Sequence, residues 1–153
     1  MSKKAAAPPV PRVRQKPMPK PTRAFQAPPE VCEALQRIGK HLAIAPGTIL
    51  FERGEQNRGL FVVAKGRFAL SAGDDPVHVT RIAEKGSLLG LPATVRDAPY
   101  SLTAEAVTDC EIYVISPADF RALLTSNPTV GMAVLSILAD EVFEMRRIFV
   151  FQA

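Results

Sequence analysis

Residues Gly86 to Ala104, GSLLGLPATVRDAPYSLTA, bring together the groups of this chain best suited to hold a small ligand. Gly86 and Gly90 bracket the apolar turn Ser87-Leu88-Leu89, and a short helix is expected over 92–95, just after Leu91. A helix start beside glycines presents free backbone N–H groups, which bind anions such as phosphate. The polar loop 96–99 then leads to Tyr100, Ser101 and Thr103, whose hydroxyls can orient a ligand. The shape is that of a phosphate cradle, yet no Asp or Glu lies between Gly86 and Val95, and no Arg adjoins Ser101. Candidate ligand contacts are therefore Gly86, Ser87, Leu88, Leu89, Gly90, Leu91, Tyr100, Ser101 and Thr103. Arg96 is a further candidate that could swing in, although it reads most simply as a solvated loop residue.

Other chemistries have little to draw on. Metal sites need clustered His and carboxylate ligands, and the chain has only two histidines, His41 and His78. His41 is expected to end the first helix, where a cation suits the dipole. His78 alternates between Val77 and Val79 in a strand and faces solvent. Cys32 and Cys110 lie far apart without CxxC spacing, so both read as reduced thiols of a cytoplasmic protein. They do not match the cysteine clusters that hold iron–sulfur centres. No Ser-His-Asp set, P-loop or GxGxxG is present, so neither an enzyme nor a metal is expected. Asp140, Glu141 and Glu144 read as the wet face of a helix.

The elements that must position the cradle follow from periodicity. Val31, Leu35, Ile38 and Leu42 make one apolar stripe, which predicts a helix over 30–42. Short strands follow at 49–51, 60–64, 67–72, 77–82, 101–107 and 111–115, with turn signals such as Lys65-Gly66 and Gly73-Asp74-Asp75-Pro76 between them. Strands this short and regular predict an antiparallel β-roll over 44–115. Ser116-Pro117 and Asn127-Pro128 are two successive helix starts, giving a short helix over 117–125 and a long one over 128–151.

Leu135, Leu138, Val142, Met145 and Phe149 recur at three-four spacing along the long helix, as in a pairing seam. Val130, Val134, Ile137 and Ile148 form a second stripe. A helix apolar on more than one side needs two neighbours, which predicts a homodimer through this seam. Residues 1–29 hold seven basic residues, no acid and eight of the 14 prolines, while the remainder carries a net −3. They read as a disordered basic tail, solubilising or able to touch an anionic partner. No secretory signal and no membrane-spanning run is seen.

A leading helix, a roll with glycine turns, a glycine-framed cassette, a short helix and a long helix, in that order, resemble the cyclic nucleotide-binding domain of the Crp/Fnr regulators over about residues 30–150. Gly54 and Gly66 in FERGEQNRGLFVVAKGRFAL look like the family's strand-turn and hairpin glycines, and EIYVISPADFRALLTSNP looks like its last strand and helix hinge. The resemblance implies a mainly β fold with flanking helices, a double-stranded β-helix or jelly roll with a long dimerisation helix. It also implies a pocket between roll, cassette and long helix. In members that bind cyclic AMP or cyclic GMP, a cassette glutamate holds the ribose and an arginine pairs with the phosphate. Here those positions fall near Leu88 or Leu89 and at Tyr100, so both charges are absent. A charge-assisted hydrogen bond is worth about 1.5–3 kcal/mol, so losing two weakens a micromolar site by about two to four decades. The expected function is a non-catalytic sensor or regulatory domain taking a small effector other than cyclic AMP. The alternative is a ligand-free dimeric interaction module that recruits a partner through the tail or the long helix. The chain stops at Ala153 without the recognition helix that base readout requires, so sequence-specific DNA binding is not expected.

Overall fold

The computed structural model describes the backbone of residues 23–72 and 79–152. Residues 1–22 of the tail expected over 1–29, and the expected role of His78, lie outside the described residues. In chain order the elements are α1 (Pro29–Ile38), β1 (Lys40–Ile44), β2 (Ile49–Phe51), β3 (Leu60–Lys65), β4 (Phe68–Ser71) and β5 (Val79–Ala83). They continue with β6 (Leu88–Leu89), α2 (Leu91–Arg96), β7 (Thr103–Ala106), β8 (Cys110–Ile115), α3 (Pro117–Ser126) and α4 (Pro128–Gln152).

Two antiparallel four-stranded sheets, ordered β1-β8-β3-β6 and β2-β7-β4-β5, face each other as the jelly roll that the turn spacing predicts. Leu60, Val62, Phe68, Leu70, Ile112 and Ile115 fill the space between them and are fully buried. Their alternation with partly exposed residues along β4 and β8 is the period-two pattern that burial of one sheet face imposes. Gly66 turns β3 into β4 at φ 92°, and a Cβ there would run into the Asp109 carbonyl and Cys110. Only glycine fits that turn.

The two helix starts form as expected. Ser116 Oγ accepts the Asp119 N–H at 3.1 Å, and Asn127 Oδ1 accepts the Val130 N–H at 3.2 Å. The long helix α4 lays Val130, Val134 and Ile137 on the core, all buried. Leu138 is partly buried against the same core. Leu135, Val142 and Met145 are 60%, 51% and 63% exposed. Phe149 and Ile148 lie in the helix, and their side chains are outside the described residues.

Three expectations differ from the structure. The first helix ends at Ile38, and residues 40–44 form strand β1 paired with β8, Lys40 opposite Val114 through Ile44 opposite Cys110. His41 therefore caps no helix. It sits on an outer strand, where Nε2 meets Glu111 Oε1 at 2.9 Å. Leu42 happens to fall four residues after Ile38, which mimics another helical turn. Gly39 is the stop signal, and the nearly all-exposed β1 carries no burial alternation to betray a strand. Leu88-Leu89, read as a turn, is strand β6, pairing Leu88 with Val62 and Leu89 with Phe61. Lastly, the ordered chain begins before residue 30: Ala24 and Phe25 are buried, and residues 23–26 cross the roll as a strap. Tail composition hides them, because only two apolar side chains in that stretch carry the contact.

Candidate functional site

The cradle residues come together, but most of their polar groups are already engaged. Ser87 is fully buried, and its Oγ accepts hydrogen bonds from Gln26 Nε2 at 2.9 Å and from the Glu84 N–H at 3.1 Å. Leu88, Leu89 and Leu91 point into the core and are buried. Gly90 precedes α2 in the left-handed region at φ 80°, and a Cβ there would lie 2.8 Å from the Tyr100 ring. Its carbonyl accepts both the N–H and the hydroxyl of Thr94, at 3.0 and 2.8 Å. Thr103 Oγ1 accepts the Arg53 N–H at 3.0 Å. Arg96 is exposed on the last turn of α2 and does not line the cavity. Ser101 is exposed at the cavity rim.

Tyr100 occupies the middle of this arrangement. It is 2% exposed, and its ring stacks on Phe51 with centroids 4.0 Å apart and planes 16° apart. Its hydroxyl donates to the Gly59 carbonyl at 2.8 Å and accepts the Arg58 N–H at 2.9 Å. What remains open is a cavity of about 20 Å³ lined by Phe25, Phe51, Leu70, Leu89, Tyr100 and Leu102, among others. That is room for about one water, whereas pockets that take drug-sized ligands measure roughly 300–1,000 Å³.

Burial pushes the Tyr100 phenol above its ordinary value of 10.0, against the opposing pull of its contacts with Arg58 and Gly59. The folded state therefore favours the neutral phenol. Stability from this group is complete below about pH 10 and is lost as the pH rises further, because the unfolded chain ionises first. Urea unfolding of wild type and Tyr100→Phe between pH 8 and 11 checks this. Wild type should lose stability above pH 10 more steeply than the variant.

Sequence reasoning missed a second set of residues, which lies beside residues 23–26 and away from the cavity wall. Arg81 on β5 and Glu141 on α4 form an ion pair with side chains only 7% and 13% exposed. Glu141 is thus not on the wet face of the helix. Its other oxygen accepts the Phe25 N–H at 2.9 Å, and Arg81 Nη2 donates to the Arg23 carbonyl at 3.0 Å. The pair is separated by 60 residues, a spacing that no local pattern reveals. Cys32 and Cys110 are free buried thiols, and burial raises the Cys32 thiol above its ordinary range. Among the described residues no group of three or more His, Cys, Asp or Glu is arranged to hold a metal. No single described helix is long and apolar enough to cross a membrane.

Over residues 41–127, more than half of the chain, the sequence matches the family model described as Cyclic nucleotide-binding domain. The crystal structure of the Thermus thermophilus catabolite activator protein shares the fold with a TM-score of 0.71 at 21% identity, covering 82% of this chain and 60% of that one. A structure from a cyclic-GMP-dependent signalling pathway that regulates bacterial phytopathogenesis matches with a TM-score of 0.68 at 26% identity, over 78% of this chain and 97% of that chain. A cyclic nucleotide-gated potassium channel of Rhizobium etli is 25% identical over 88 residues, 58% of this chain and 24% of the channel. A potassium channel protein of Rhodopseudomonas palustris is 27% identical over 96 residues, 62% of this chain and 23% of that protein. The chain thus spans about a quarter of the length of the channels it matches.

Proposed function

The chain belongs to the cyclic nucleotide-binding domain family, and from that membership we propose that it is a non-catalytic regulatory domain whose cyclic-nucleotide pocket is filled by its own side chains and whose output leaves through α4. The observation that carries this reading is Tyr100, buried on Phe51 with its hydroxyl satisfied and leaving about 20 Å³ beside it. A cyclic nucleotide needs a cavity more than tenfold larger and an ionic partner for its phosphate. The described cassette supplies neither, since Arg96 faces away and Ser87 is committed to Gln26 and Glu84.

The output side rests on α4. One stripe of it is buried on the roll, and the adjoining stripe, about a quarter turn round the helix, leaves Leu135, Val142 and Met145 exposed. Pairing with a second copy through Leu135, Leu138, Val142, Met145 and Phe149 gives that stripe a neighbour. A small effector other than a cyclic nucleotide is the second reading. It is favoured by the exposed Ser101 hydroxyl at the rim of an otherwise apolar cavity.

A thermal-shift screen of cyclic mono- and dinucleotides and small metabolites tests the proposal, because a ligand at 100 times its Kd adds about 2.7 kcal/mol of stability. Cyclic AMP and cyclic GMP at millimolar concentration should leave Tm unchanged. A rise of several degrees with either would return the pocket to the usual ligand chemistry of its family. A rise with another metabolite would favour the second reading.

A further inference from the structure

We infer that residues Arg23–Gln26 are a built-in ligand of the roll, a strap whose Phe25 side chain plugs the pocket and whose hold is set by Glu141 on α4. The inference rests on the reading of the pocket as filled from within, and it adds a mechanism by which the filling is released and reported.

The strap lies where the roll is open. β5 ends one sheet and β6 ends the other. Arg23 bridges Ile82 of β5 in parallel register, and Gln26 bridges Ser87 beside β6 in antiparallel register. The strap therefore spans the seam between the two sheet edges. It is tied by Ala24 N–H to the Ile82 carbonyl at 3.1 Å, by Leu88 N–H to the Phe25 carbonyl at 2.9 Å, and by Ala27 N–H to the Gly86 carbonyl at 2.9 Å. Between these ties Phe25 turns its ring inward to line the cavity with Phe51, Leu89 and Tyr100. Ala24 and Phe25 form a turn between the two bridged residues, and backbone pairing to open sheet edges with one side chain in a pocket is how a bound peptide is held.

Two observations mark the strap as releasable. Phe25 sits at φ 53°, in the left-handed region that non-glycine residues keep only while their surroundings hold them there. The holding group is Glu141, whose carboxylate accepts the Phe25 N–H with one oxygen and the Arg81 guanidinium with the other. Arg81 in turn holds the Arg23 carbonyl, and its guanidinium lies 5.8 Å from the Phe25 ring centre. Plug and long helix thus share one carboxylate. When the strap leaves, Glu141 loses its backbone partner, and the helix that carries the exposed seam is held to the roll by fewer contacts.

Amide hydrogen exchange on the full chain tests this with Glu141→Gln, Phe25→Ala and, as a control, Asp140→Asn, an exposed neighbour on α4. Glu141→Gln should speed exchange of the Ala24, Phe25 and Leu88 amides at least tenfold. The Val63 amide, bonded to the Ser87 carbonyl within the roll, should exchange as in wild type. Phe25→Ala should do the same and bind benzene one to one, since a phenyl-sized cavity holds such a probe. Asp140→Asn should change nothing. Exchange in Glu141→Gln equal to that in Asp140→Asn would overturn the coupling to α4. A rise spread equally to Val63 would also overturn the proposal, because the strap would then open only with the whole roll. These readouts contain no nucleotide, so cyclic AMP binding to wild type would sink the filled-pocket reading while leaving the exchange pattern to be judged on its own.

Discussion

Truncation of Tyr100 to alanine should cost about 3–5 kcal/mol of folding stability, the range for removing a buried aromatic side chain that leaves a cavity behind. The ring is stacked on Phe51 and lies within 6.4 Å of Phe61, centre to centre. Its hydroxyl serves the Arg58 N–H and the Gly59 carbonyl together, so alanine leaves two backbone groups to find other partners. For a domain of about 150 residues this is a loss of roughly 6–20 °C in Tm. Urea or thermal unfolding measures it. The size of the effect separates two roles. A tyrosine that is part of the packed core gives the full cost. A tyrosine that spends much of its time swung out as a gate gives about 1 kcal/mol or less, as surface positions do.

The second large effect is expected at the seam of α4. Leu135→Asp combined with Val142→Asp should convert a dimer into a monomer at about 10 μM chain, read by light scattering. Each apolar side chain fully removed from water contributes about 1.5–3 kcal/mol, and a twofold interface counts every residue on both copies. Two substitutions therefore raise the dimer Kd by on the order of a thousandfold or more. Both side chains are 50–60% exposed in the single chain, at 60% and 51%, so the fold should survive and the circular dichroism spectrum should be unchanged. Wild type running as a monomer at the same concentration, or the double variant remaining a dimer, would remove α4 as the pairing element.

Much of the fold was legible because local chemistry and global packing agree in it. The strands β3, β4 and β8 are apolar runs between turn residues, Gly66 marks a hairpin that only glycine can make, and Ser116 and Asn127 cap helices where their side chains reach the next turn. The framing of the cassette by Gly86 and Gly90 was legible for the same reason, since both take positive φ. What failed to show did so for physical reasons. Strand β1 is stabilised by backbone pairing to β8 and not by side-chain burial, so it leaves no periodic mark. The strap is recognised by groups distant in the chain, such as Arg81, Ser87 and Glu141, 58, 61 and 116 residues from their strap partners. Glu141 sits among polar residues on a helix, Asp140 and Glu144, and nothing in that pattern singles out the carboxylate that pairs with the buried Arg81 and also holds the Phe25 N–H. The type and order of parts can be read from one sequence, whereas the state of the pocket depends on contacts that only the folded chain assembles.

The central claim is that the nucleotide pocket of this domain is closed by its own residues, and calorimetric titration of cyclic AMP into the full chain tests it most directly. At about 0.1 mM chain and up to about 2 mM nucleotide, no saturable heat should appear, because the Tyr100 and Phe25 rings occupy the space a nucleotide needs. A one-to-one isotherm with a micromolar Kd would contradict the account, since it would require Tyr100 and Phe25 to vacate the pocket at little cost.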